Sequence, residues 1–362
     1  MSIDNYINEL FDRMHADGVL PPYLYNAKKK TFDPERDWMY YSGPVWTEDE
    51  PRAAVKAFLT GKWLVAGEHC AKFEREFSKM FGFESSLMVN SGSSANLIMI
   101  SALKKHLDWG DGDEVIVSPV GFPTTIAPLV QNNLTPVFTD IVFEDLNFDL
   151  EKVEAAITEK TKAIFISPVL GNPPDFDKLK EISEKYDIEL VLDGCDSLGS
   201  KWKGKELSEY AIATSCSFYP AHHITTGEGG MVSSNDKDLI SLARSFAWWG
   251  RDCYCVGSAN LSKKGACGNR FDKWLDGYEG KIDHKYYFSN MGYNVKPLDL
   301  QGALGLEQLK KIEDIHVKRR ENKEKAESIF KEVLGDMVHI PGELDHAETS
   351  WFGVPIVCNK NK

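Results

Sequence analysis

Two adjacent histidines, a carboxylate ending an apolar run, a small-residue turn and a scattered set of cysteines are the residues of this chain that could do chemistry. The histidines lie in Ser217-Phe218-Tyr219-Pro220-Ala221-His222-His223-Ile224-Thr225-Thr226-Gly227-Glu228-Gly229-Gly230. An imidazole with an ordinary pKa of about 6.5 can move a proton near neutral pH, so this segment offers a general base. The carboxylate lies in Val191-Leu192-Asp193-Gly194-Cys195-Asp196, where Asp193 closes an expected buried strand. A buried carboxylate is costly without a cationic partner. The protonated nitrogen of a pyridine cofactor would supply one and make the ring an electron sink; a helix-capping Asp is an equal reading. The turn is Asn90-Ser91-Gly92-Ser93-Ser94-Ala95, between an expected strand and an expected helix. Its backbone amides and the helix dipole suit an anion such as phosphate, although small residues also fill turns of no function.

The chain has 7 cysteines. Cys195 follows the sheet-end motif, and Cys253-Tyr254-Cys255 and Cys267 come later. Four thiols suffice for one [2Fe-2S] cluster. A four-thiolate zinc site is the rival, but Cys-x-Cys lacks the usual gap of about two to four residues. Cys70, Cys216 and Cys358 have no such spacing and are expected to be buried small residues.

The histidine segment resembles the cofactor-lysine motif of the sugar aminotransferases typified by DegT, DnrJ, EryC1 and StrS, a fold-type-I pyridoxal phosphate family. The likeness runs roughly from Val65 to Leu309, and the family's lysine falls on His222. Imidazole cannot make the covalent bond that a lysine amine makes to the cofactor. The resemblance therefore implies pyridoxamine phosphate held noncovalently and condensed with a ketone substrate, with His222 removing the C4′ proton so that a β hydroxyl leaves. It leaves His223 a supporting part. It assigns Gly92, Ser93 and Ser217 to the cofactor phosphate, Phe122 to stacking on the ring, Asp193 to the pyridine nitrogen and Asp196 to the neighbourhood of the ring hydroxyl. Asn294, in Gly292-Tyr293-Asn294-Val295-Lys296, resembles a segment that reaches the phosphate from a second subunit, which implies a homodimer.

Histidine at the lysine position together with Cys195, Cys253, Cys255 and Cys267 resembles the subgroup of iron-sulfur 3-dehydrases that act on a CDP-linked 4-keto-6-deoxyglucose in 3,6-dideoxyhexose and O-antigen synthesis. That subgroup implies an NADH-dependent iron-sulfur flavin reductase as electron donor. A cluster-free GDP-sugar 3-dehydrase, a TDP-sugar 3-dehydrase and a noncatalytic relative are the competing readings, and iron content separates the first and last of them from the cluster enzyme.

The elements that must position these residues follow from hydrophobic patterning. Short apolar runs at Leu87-Met88-Val89, Val115-Ile116-Val117, Val137-Phe138, Ala163 to Ser167 and Glu189 to Asp193 alternate with helical stretches. Strands at Thr214 to Phe218 and Met231 to Ser234 and a helix from Leu239 to Trp248 come next. Such alternation predicts an α/β fold with a mostly parallel central sheet and helices on both faces, with ligands beyond the carboxyl ends of the strands. Thr47 and Glu50 have capping-box spacing ahead of one helix, and a second is expected from Glu68 to Phe81, stopping at Gly82. The expected division is an N-terminal arm over residues 1–60, a large cofactor domain over 61–296 with a cysteine-containing excursion at 251–290, and a small C-terminal α+β domain over 297–362. Ser350 to Ile356 resembles an early strand of that small domain, which is expected to be incomplete.

A net charge of -13 argues against a nucleic-acid backbone as partner. The longest apolar runs are strand-sized, too short to span a membrane, and residues 1–18 lack the pattern of a signal peptide, so a cytoplasmic protein is expected.

Overall fold

The computed structural model describes residues 2–19, 33–35, 43–252, 271 and 277–359. Helix α1 (Ile3–Ala16) opens on Ser2, whose side chain accepts from the Asn5 amide. Helices α2 (Asp49–Thr60) and α3 (Glu68–Met80) follow, then β1 (Ser85–Val89), α4 (Gly92–His106), β2 (Glu114–Val117), α5 (Pro123–Gln131) and β3 (Thr135–Phe138). The alternation continues through α6 (Leu150–Ala155), β4 (Thr161–Ile166), α7 (Phe176–Tyr186) and β5 (Glu189–Asp193). A small hairpin of β6 (Lys201–Trp202) and β7 (Lys205–Glu206) intervenes before β8 (Ala213–Ser217), β9 (Gly230–Ser234) and α8 (Lys237–Ala247).

Seven strands form one sheet in the order β1-β9-β8-β5-β4-β2-β3. The pairs from β8 to β3 are parallel, while β9 runs antiparallel to both of its neighbours. The period-2 pattern sorts the strand side chains to two faces. Val115, Val117, Ala163, Phe165 and Val191 pack with Ile98, Met99, Leu103 and Ala243 of α4 and α8. Ile116, Ile164, Ile166, Leu190 and Leu192 face the other way, onto Phe176, Leu179 and Ile182 of α7. Toward β1 the second face is covered by Phe73, Phe77 and Phe81 of α3 and the turn after it, packed on Met88, Cys216 and Phe218. The expected layers and strands are therefore present to within a residue or two.

The capping box forms in altered shape. The helix begins two residues after Thr47, the Thr47 amide donates to Glu50 at 2.9 Å, and Glu50 is fully buried under the Lys311 ammonium (2.6 Å) and the Gln308 amide (2.7 Å). Its carboxylate thus ties α2 to α9 (Asp299–Leu309), which lies across α2 and α3. The crossing is close: a Cβ on Gly302 would sit 2.3 Å from the Cys70 nitrogen. The 23-residue α10 (Ile312–Leu334) follows. Next come β10 (Val338–His339), β11 (Ala347–Glu348) and β12 (Val357–Cys358); β10 pairs with β12, and β11 with β6.

Two expectations fail here. Ser350 to Ile356 is irregular rather than a strand, because its backbone is engaged elsewhere: the Ser350 amide donates to Ser200 Oγ and the Phe352 amide to the Leu170 carbonyl. Cys358 is exposed, since its strand pairs only with β10 among the described residues, whereas Cys70 and Cys216 are buried as expected. Among the described residues no helix is long and apolar enough to cross a membrane.

Candidate active site

The carboxyl ends of β5 and β8 and the amino ends of α4 and α5 meet at one edge of the sheet. How closely β8 approaches α4 is fixed by Gly92, where a Cβ would lie 2.4 Å from Ser217 Cβ and 2.8 Å from its hydroxyl oxygen. No other residue fits without moving the strand, so the Ser217 hydroxyl stands at the first turn of α4. Ser91 caps that turn by accepting from the Ser94 amide at 3.1 Å. Gly230 serves the same approach from β9, its missing Cβ lying 2.3 Å from the Ser91 carbonyl oxygen. Ser93 is exposed beside the cap and donates to Thr124 Oγ1 at 3.2 Å. The amino end of α4, Ser93 and Ser217 are thus brought together at one turn.

Asp193 is 4% exposed at the end of β5. It accepts from Asn96 Nδ2 (2.8 Å), Thr125 Oγ1 (2.6 Å), Ser215 Oγ (3.3 Å) and the Cys195 amide (3.3 Å). All four hydrogen-bond donors are neutral, and the helix-capping reading falls because the acceptor bonds come from three different elements. Phe122 stands at the N-cap of α5 and is 67% exposed, so it is a free ring at the rim rather than part of the core.

His222 lies at the floor of the site, its side chain 14% exposed. Its Nδ1 has no hydrogen-bond partner, the Asp196 carboxylate being 3.5 Å away. The ring packs against Phe352 at 5.0 Å between centroids and lies edge-on to Tyr219 at 6.4 Å. Burial pushes the His222 pKa down to about 4 against the opposing pull of the Asp193 charge. Burial and the Asp193 charge push Asp196 up to about 7, with the Arg319 guanidinium opposing them. The imidazole is accordingly neutral at physiological pH, the form a base must have.

His223 turns away from the site into a buried polar junction. Its Nε2 meets Ser350 Oγ at 2.9 Å, and its ring lies edge-on to His316 at 5.5 Å. Burial lowers the His316 pKa to about 4, helped by Arg320, Arg319 and Lys201 and opposed by a hydrogen bond to the Leu198 backbone. Burial holds His223 well below its ordinary value, with Arg319, His316 and His222 adding to it and the Ser350 backbone opposing. Both rings are neutral in the fold, whereas an unfolded chain protonates them near pH 6.5. For His316 the unfolded state therefore binds an extra proton between pH 6.5 and about 4, His223 acts in the same direction, and stability is lost as pH falls below 6.5. The midpoint of thermal unfolding should drop between pH 7 and pH 5, and drop less in His316→Asn. Equal drops in the two proteins would count against this assignment.

Asn294 is exposed, and its side-chain oxygen accepts from Lys296, whose ammonium lies 3.4 Å from the centroid of the Trp249 ring. The Asn90 amide donates to the Val295 carbonyl at 2.9 Å, which sets this segment beside the phosphate turn. Cys195 is a half-buried free thiol just past Asp193. Cys253, Cys255 and Cys267 lie outside the described residues, and among the described residues no group of three or more His, Cys, Asp or Glu is placed to hold a metal ion.

Several site residues carried no signal in the sequence. Asn96 and Thr125 sit one turn into α4 and near the start of α5, and only the sheet brings them to Asp193. Gln308 accepts from the Thr225 amide at 3.0 Å and donates to the Val45 carbonyl at 3.1 Å, so it ties the histidine segment to the N-terminal arm. Arg319 and Phe352, distant in sequence, complete the surroundings of His222.

The sequence model of the DegT/DnrJ/EryC1/StrS aminotransferase family matches residues 46–362. The chain is 41% identical over 322 residues to the dTDP-4-dehydro-2,6-dideoxy-D-glucose 3-dehydratase of Saccharopolyspora spinosa, covering 88% of this chain and 68% of that protein. It is 38% identical over 326 residues to the lipopolysaccharide biosynthesis protein RfbH of Salmonella typhimurium, covering 88% and 72%. The solved structure of the Escherichia coli GDP-4-keto-6-deoxy-D-mannose-3-dehydratase with bound hydrated PLP superposes with a TM-score of 0.77 at 34% identity, covering 90% of this chain and 80% of that one. The architecture is that of the PLP-dependent sugar aminotransferases and dehydratases, as the histidine motif led one to expect.

Proposed function

The chain belongs to the DegT/DnrJ/EryC1/StrS aminotransferase family, and from that membership we propose that it removes the C3 hydroxyl of a nucleotide-linked 4-keto-6-deoxyhexose, with CDP-4-keto-6-deoxy-D-glucose as substrate. The observation that carries the reading is His222, a neutral, half-buried imidazole where the resemblance puts the family's cofactor lysine. A chain without that lysine holds its cofactor by noncovalent contacts and works as a dehydratase rather than a transaminase.

The residues present fit pyridoxamine phosphate. Asp193 is a buried carboxylate whose hydrogen-bond donors are all neutral, which leaves its charge for a protonated pyridine nitrogen. Gly92, Ser93 and Ser217 would take the phosphate, Phe122 would cover the ring, and Asp196 would stand near the ring hydroxyl. Asn294 of a second subunit would complete the phosphate site of a homodimer. When bound, the cofactor supplies a ring that takes up the electrons of its C4′–H bond and relays them toward expulsion of the sugar hydroxyl. His222 would remove the C4′ proton, its ring packed on Phe352 with Tyr219 edge-on to it.

Net loss of the hydroxyl oxygen needs two electrons. A [2Fe-2S] cluster on Cys195, Cys253, Cys255 and Cys267 would accept them singly from an NADH-dependent iron-sulfur flavin reductase. Cys195 supports this assignment in kind, as a thiol free of any disulfide beside the proton-transfer site. The reading belongs to O-antigen dideoxysugar synthesis in the cytoplasm.

The test supplies pyridoxamine phosphate, the reductase and the CDP-, GDP- or dTDP-linked 4-keto-6-deoxyhexose, and follows the loss of one oxygen by mass spectrometry. Turnover of the CDP sugar ahead of the others is expected. Preference for the GDP sugar with glutamate and no iron would replace this assignment with the cluster-free one.

A further inference from the structure

Helix α10 passes beneath the segment that carries His222, and one of its faces presents His316, Arg319 and Lys323 to a single junction. His316 lies against His223, and the Lys323 ammonium is 4.5 Å from the centroid of the Trp351 ring. Arg319 lies between them and uses both ends of its fork. Its Nη1 donates to the carbonyls of Trp351 (3.1 Å) and Phe352 (3.0 Å), and its Nη2 to those of Ala221 (3.1 Å) and His222 (3.1 Å). One guanidinium thus joins two segments that are remote in sequence. These are the two segments whose side chains meet at the site, because the Phe352 ring packs on the His222 imidazole.

We propose that Arg319 is the positioning residue for proton transfer: by holding the carbonyls of Ala221, His222, Trp351 and Phe352 on one rigid fork, it fixes the direction in which the His222 imidazole points. This rests on the reading of His222 as the base. The planar, pre-organised guanidinium is what makes the tie possible, and an ammonium is a point donor on a flexible stem that cannot span four carbonyls from this position. A misplacement of about 1 Å of a reacting group can cost on the order of 100-fold in rate, so the effect belongs in kcat. The cofactor contacts at Gly92, Ser93, Asp193 and Ser217 lie on other elements and stay in place.

The experiment compares the wild type with Arg319→Lys and Arg319→Gly. In Arg319→Lys, kcat should fall by roughly 10- to 100-fold, with KM and pyridoxamine phosphate affinity within about twofold of wild type. Added guanidinium ion should recover part of the activity of Arg319→Gly, and methylammonium should not. On the cofactor-free chains, amide hydrogen exchange should quicken together in peptides covering 219–225 and 349–353, and α4 should keep its protection. An unchanged kcat in Arg319→Lys, or exchange that quickens in only one of the two peptides, overturns the proposal. A wild type that dehydrates none of the sugars overturns the reading of His222 itself, and the role of Arg319 with it.

Discussion

His222→Asn should lower dehydration by about 10²- to 10⁴-fold, the usual worth of a positioned general base, which corresponds to roughly 2.7–5.5 kcal/mol in the barrier. Pyridoxamine phosphate binding should survive, because Gly92, Ser93, Asp193 and Ser217 sit on α4, β5 and β8, and His222 is on none of these elements. Asn keeps a polar side chain of similar reach but cannot accept a proton at physiological pH. The ring contacts with Phe352 and Tyr219 are lost, and the fold tolerates this because Arg319 and Gln308 hold the backbone on either side. The direct readout is exchange of the C4′ proton with deuterated solvent, followed by NMR. Exchange in the wild type and none in His222→Asn is the expected pair. Exchange that continues unchanged in the variant would move the base to another group, with Asp196 the next to examine at 3.5 Å from the imidazole.

The strands and the site turn could be read from the sequence because each depends on local chemistry. Period-2 patterning gives Val115, Ile116 and Val117 to alternate faces, and α7 buries Phe176, Leu179 and Ile182 at helical spacing. Gly92 and Ser93 could be placed at a strand-to-helix turn because small residues between an apolar run and a helical stretch mark one. The failures are all nonlocal. Ser350 to Ile356 has the apolar content of a strand, but its carbonyls at Trp351 and Phe352 are taken by Arg319, 32 and 33 residues earlier in the chain, so no ladder forms. Glu50 has capping-box spacing, yet the charge of Lys311 and the amide of Gln308 decide where its carboxylate points. Arg319 looks like one more cation on an amphipathic helix until the histidine segment is folded over it. The partners of Asp193 are likewise invisible from the sequence, since Asn96 and Thr125 are ordinary helix residues that only the sheet order brings to one carboxylate.

Changing Cys253 and Cys255 together to Ser should remove all iron from the protein. The anaerobically purified wild type should carry about two irons and two acid-labile sulfides per chain, the content of one [2Fe-2S] cluster. Serine is nearly isosteric but does not supply the thiolate such a cluster requires, and two thiolates of four are too few to retain the cluster. The double variant should keep pyridoxamine phosphate affinity and C4′ exchange, because Asp193 is held by Asn96, Thr125, Ser215 and the Cys195 amide and the His222 ring packs on Phe352. Net deoxygenation should fall to background, since proton removal continues but the two electrons no longer arrive. That split between a surviving proton transfer and an abolished reduction is what separates an electron-delivering cluster from a structural metal, whose loss would depress both. Zinc in place of iron would make the cysteines a structural knuckle. A wild type with no metal, active with glutamate alone, would instead make Cys195 a plain thiol beside Asp193 and assign the chemistry to His222 and the cofactor without a reductase.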